Sequence, residues 1–148
     1  MANDLHFQLI DPTLQSTGSN LRFSFVPPTI AVNGIQKLMN RWLKKFLTIK
    51  GSNPGDLTDG TNFGLLIGGN ISDVDDLQAQ ILTFIDDCNT QIQTIDRTSP
   101  QLTSDERLRS ADLLIFNVLD ATSIEFWVQV TSTSGKRATA LIPYATST

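Results

Sequence analysis

The stretch Leu113-Leu-Ile-Phe-Asn-Val-Leu119, followed by Ile124-Glu-Phe-Trp-Val-Gln-Val-Thr131 and Ala138-Thr-Ala-Leu-Ile142, decides the fold. The first run is apolar at nearly every position, which predicts a central strand buried on both faces. The second alternates: Ile124, Phe126, Val128 and Val130 against Glu125, Trp127, Gln129 and Thr131. That is the period-two pattern of a strand with one buried face. Asp120–Ser123 and Ser132–Lys136 are turns, and Ala138, Ala140 and Ile142 fit a third strand that ends at Pro143. Turns this short make the three strands an antiparallel meander.

Upstream of the meander the period changes to that of helices. Ile35, Leu38, Met39, Trp42, Leu43, Phe46 and Leu47 form one apolar stripe, with Asn33 placed to cap its start. Gly51 and Pro54 close this helix. Val74, Leu77, Ile81, Phe84, Ile85, Cys88, Ile92 and Ile95 form a second, longer stripe. Ser72 with Asp75 fits a capping box at its start, and Pro100 ends the element. Between the helices, 51–60 is loop by composition, and Thr61–Ile67 predicts a short helix closed by Gly68-Gly69. Thr103 with Glu106 makes a second capping-box pattern ahead of the meander.

The first thirty residues differ. Leu5–Ile10 is a candidate short strand, and Leu21-Arg-Phe-Ser-Phe-Val26 alternates until Pro27-Pro28 stops it. The expected organisation is an extended N-terminal arm over 1–30 and a single α+β domain over 31–148. In that domain, two main amphipathic helices pack on a small antiparallel C-terminal sheet.

The chain has 148 residues, consistent with one domain. Its 40% hydrophobic content supports a core, and the 18% charged content is low for a soluble protein. One cysteine, Cys88, and one histidine, His6, exclude an internal disulfide and a zinc site. No apolar run reaches the length of a membrane span, and the N-terminus has no signal-peptide pattern, so cytosolic synthesis is expected. The net charge of −4 is the remainder of two blocks. Residues 12–55 carry six bases and no acid; residues 56–96 carry eight aspartates and no base. Such blocks suit either pairing within the chain or register-setting between neighbours.

The search for chemistry finds none. Cys88 sits on an apolar stripe and reads as a buried thiol, and His6 lies in the arm without a partner nucleophile. Asp75-Asp76 and Asp86-Asp87 are adjacent on a helix and point in different directions, unlike a glycosidase pair. The glycines of 51–69 fit neither a phosphate loop nor a dinucleotide fingerprint. The basic helix face lacks interleaved exposed aromatics, which favours a solvated or protein-facing role over contact with nucleic acid or lipid. No catalytic residue, metal or cofactor is expected, and neither a nucleic acid nor a membrane partner.

A resemblance gives this absence a context. Leu43-Lys-Lys-Phe-Leu-Thr-Ile-Lys-Gly51, the Pro54-Gly55 loop, then Asp59-Gly-Thr-Asn-Phe-Gly-Leu-Leu-Ile-Gly-Gly69 precede the long helix and the meander. This order resembles the baseplate wedge, or tail sheath initiator, family of contractile-tailed bacteriophages. Gly51, Gly60, Thr61, Phe63, Leu66 and Gly135 match by position, over about residues 35–143. The family's Glu-Pro-Arg motif after the long helix is replaced here, with Arg97 and Arg107 both candidates for its arginine. The family is often labelled lysozyme-like; the carboxylates give that activity no support, and no enzyme is expected. The resemblance implies a virion protein, assembled in the host cytoplasm, with about six copies in a ring around the tail tube. Its partners would be the tail sheath protein, the baseplate wedge proteins and the tube, and the meander would accept a sheath strand. The residues expected to meet partners are Lys37, Arg41, Lys44 and Lys45, then Arg97 and Arg107, then Glu125, Trp127 and Gln129. A terminator or completion subunit of the tail or neck is the alternative, and a small peptidoglycan hydrolase a more distant one.

Overall fold

The computed structural model describes residues 32–66, 73–120 and 123–145. The expected arm strands at 5–10 and 21–26 and the expected cap Ser72 lie outside the described residues. The fold is α+β: helix α1 (Gly34–Leu47), a single 3-10 turn (Phe63–Leu66), helix α2 (Val74–Arg97), then strands β1 (Leu108–Asp120), β2 (Ser123–Ser132) and β3 (Arg137–Ala145). The strands form an antiparallel sheet in the order β1-β2-β3. Both helices lie on one face of it, α2 mainly against β1 and α1 against β2, β3 and α2.

The core follows the predicted stripes except at the helix ends, where Leu47, Val74 and Ile95 are exposed. Leu38, Met39, Trp42, Leu43 and Phe46 of α1 are buried, as are Leu77, Ile81, Ile85, Cys88 and Ile92 of α2. From β2, Ile124, Phe126, Val128 and Val130 meet them. Trp42 stacks on Phe46 at 4.9 Å, Phe46 meets Phe63 at 4.7 Å, and Phe126 closes on Phe63 edge-on at 5.6 Å. Such ring pairs add roughly 0.5–1.5 kcal/mol each beyond the burial of their area.

Helix ends are fixed by side chains the pattern only partly identifies. At α2 the N-cap is Asp73, whose carboxylate accepts from the Asp75 and Asp76 amides at 2.9 and 3.2 Å. An aspartate there also faces the positive end of the helix. Asn33 occupies the N-cap position of α1 without a side-chain cap bond. The Gly34 amide instead donates to Glu106 Oε1 at 3.4 Å, so a distant carboxylate takes the cap's place. After α1, the chain folds back through a single parallel bridge between Ile49 and Thr61. Thr61, fully buried, donates its hydroxyl to Phe46 O at 2.7 Å. Gln91 of α2 clamps Gly60, accepting from its amide at 3.2 Å and donating to its carbonyl at 2.8 Å.

The expectation that 113–119 is a central strand is corrected. Among the described residues the central strand is β2, and β1 is an edge. Its register with β2 slips between Leu113 and Ile115 and again between Val118 and Asp120, leaving Leu114 and Leu119 without a partner. Each slip is a bulge that resets the alternation. Apolar residues at successive positions therefore do not mean burial on both faces: Leu114, Ile115, Val118 and Leu119 are all exposed.

Candidate interaction surface

The basic face of α1 is largely used inside the molecule. Lys37 Nζ pairs with Glu106 Oε1 at 3.1 Å. Arg41 bridges two partners, donating to Asp96 Oδ1 at 2.6 Å and to the Glu106 carbonyl at 2.9 Å. Lys45 pairs with Asp59, which also accepts from Asn53 Nδ2 at 3.0 Å. Lys50 approaches Asp87 at 3.7 Å, with both side chains about two-fifths exposed. The basic and acidic blocks thus meet within one chain.

Asp96 and Glu106 organise the junction between α1, the end of α2 and the start of β1. Asp96 is 4% exposed, and its second oxygen accepts the Leu108 amide at 2.7 Å. A carboxylate that buried requires such partners. Glu106 feels burial, which raises its pKa, but Lys37 and the amides of Thr103 and Gly34 outweigh this and hold it below the usual range. Sequence reasoning missed Asp96. The available signal was its place on the apolar stripe of α2, four residues after Ile92, where an acid needs a partner.

Of the other residues expected to meet partners, Arg107 turns to its own backbone, donating from Nε to Leu102 O at 3.1 Å and from Nη2 to Ser99 O at 3.2 Å. It staples the loop that leads into the sheet. Lys44 and Arg97 are exposed, and neither has an ion pair with a described residue. Glu125, Trp127 and Gln129 lie half-buried on the face of β2 away from the helices. Register places Ile115, Trp127 and Leu141 in one row across this face, and Asn117, Glu125 and Pro143 in the next. Asn117 Nδ2 donates to Glu125 Oε1 at 3.1 Å. No described helix covers this face, so an apolar row with a polar border is presented outward.

Among the described residues the groups with possible chemistry are not assembled. Cys88 is buried with Sγ 3.7 Å from the Trp42 carbonyl, and burial pushes its thiol pKa far up, away from the reactive thiolate. His6 lies outside the described residues. Among the described residues no group of three or more His, Cys, Asp and Glu side chains is placed to hold a metal ion. No described helix is long and apolar enough to cross a membrane. Comparison with family models, curated proteins and solved structures returned no match.

Proposed function

We propose that this chain is a structural part of a contractile phage tail, a baseplate wedge protein of the sheath-initiator type. It would join the baseplate to the first sheath ring by sharing strands. The observation that carries the reading is the three-stranded sheet: helices cover one face, the other presents the Ile115–Trp127–Leu141 row, and among the described residues no strand pairs with the outer side of β1 or of β3. A sheet of this kind is a template for a neighbour's strand, whose main-chain bonds supply affinity. Three of the glycines that carry the resemblance support the same reading. Gly51, Gly60 and Gly135 have φ of +85°, +94° and +89°, so each serves a turn that a side chain would strain.

The test is a nonsense mutation in this gene within the phage or prophage that encodes it, followed by negative-stain imaging. The expected particles have assembled tubes and baseplates but no sheath. Particles with complete sheaths would overturn the reading. Tubes that carry sheath but fail at the neck would instead support the terminator alternative.

A further inference from the structure

We propose that Leu21–Val26 of this same chain runs antiparallel along the open side of β1 as a fourth strand. The inference goes beyond the tail reading and leaves it the outer side of β3 for a neighbour's strand, since it concerns how the chain closes the β1 side of its own sheet.

The first observation is a gradient of cover along β1. Its inward residues are buried at the start, Leu108 at 4% and Ala111 at 3% exposure. Cover then fails: Phe116 is half-buried and Val118 is 42% exposed. Leu82 of α2 is also 42% exposed. Leu82 lies two turns from Asn89, on the side from which Asn89 bonds the Ala111 carbonyl at 2.9 Å. The helix and the strand therefore share an apolar border on the outer side of β1, where a further strand would lie.

The second observation is where the arm ends. It enters α1 at Gly34, whose amide bonds Glu106, two residues before β1 begins. A strand that reaches this point from β1's far half must run antiparallel to β1. The connection 27–33 spans at most about 25 Å, and the six steps from Leu108 to Leu114 occupy about 20 Å, so Val26 reaches the level at which cover is lost. Length, direction and pattern agree: Leu21, Phe23 and Phe25 fall on one face, towards α2, and Arg22 falls on the outer face that carries Asp112 and Glu125.

Amide hydrogen exchange on the full-length protein, resolved by NMR, tests this. Alternate amides of Leu114–Leu119 point away from β2. They should exchange slowly, with protection unchanged over about a tenfold range of protein concentration. Phe23→Asp with Phe25→Asp should speed those amides by about tenfold or more while β2–β3 amides stay protected. Fast exchange of the outward set in the wild-type chain would overturn the proposal, whatever the variant does. So would protection that grows with concentration, which would assign the strand to a second copy. An unchanged β1 in a variant that keeps its β2–β3 protection would overturn it as well.

Discussion

At the scale of single residues, two carboxylates contribute in different ways. Asp96 is nearly sealed and holds both Arg41 and the first amide of β1. Truncating it leaves the Leu108 amide without its acceptor and the Arg41 guanidinium without its carboxylate, with the Glu106 carbonyl still in place. Breaking a buried pair costs about 3–5 kcal/mol, and because the Arg41 side chain keeps 24% of its surface, Asp96→Ala should fall at about 2–3 kcal/mol. Urea unfolding should show this as a lower midpoint with an unchanged slope, and Asp96→Asn, which still accepts from Leu108, should lose less. Asp59 offers a pH signature. The Lys45 bond, aided by Asn53, lowers its pKa below the ordinary 3.8 despite partial burial. A depressed folded-state pKa adds stability above the unfolded value, and that stability is lost as pH falls through the folded one. The gap in stability between wild type and Asp59→Asn should therefore be widest near about pH 7 and narrow as pH falls below the unfolded value of 3.8. A gap that widens in acid would contradict the assignment.

At the scale of elements, the loop from α1 to α2 is governed by Gly60. A Cβ at this position would sit 2.3 Å from the Thr48 carbonyl oxygen, and the backbone is left-handed. Gly60→Ala must break the Thr48–Thr61 backbone bond of 2.9 Å or move the strap, and should cost about 2–4 kcal/mol by denaturant titration. Gly51, also left-handed but with open space around it, should lose only the conformational term of about 1–2 kcal/mol as Gly51→Ala. The sequence made these elements legible unevenly. The helix stripes could be read because a 3.6 period survives any choice of neighbour, and β2 because its alternation is unbroken from Ile124 to Val130. The role of β1 could not be read, because bulges at Leu114 and Leu119 are properties of its pairing with β2 and not of its own residues. The N-caps were placed to within a residue, but a cap supplied by Glu106, far along the chain, leaves no local trace.

At the scale of the whole molecule, the charge blocks and the outer sheet face have separate duties. Lys37, Arg41, Lys45 and Lys50 each find an acid within the chain, so most of the basic block is engaged in holding α1 to α2 and to the loops. The candidate surface was accordingly legible only in part. Residue type marked a basic face for partners, yet which cations remain free depends on where Asp96 and Glu106 are brought by folding, and of the cations expected to meet partners Lys44 and Arg97 are the ones exposed without an ion pair to a described residue. Trp127 is the opposite case: its alternation placed it on the outer face, and no described helix covers it there. A large aromatic in the centre of an open apolar row, with Ile115 on one side and Leu141 on the other, has the position of an interface anchor. Trp127→Glu removes apolar surface without opening the core, whose β2 contribution is Ile124, Phe126, Val128 and Val130. The purified variant should unfold within about 1 kcal/mol of wild type, as surface substitutions usually do. In complementation of the nonsense mutant it should nevertheless reproduce the sheathless particles. A variant that is equally stable and builds complete sheaths would remove the outer face from the assembly and leave the open strand edges as the contact.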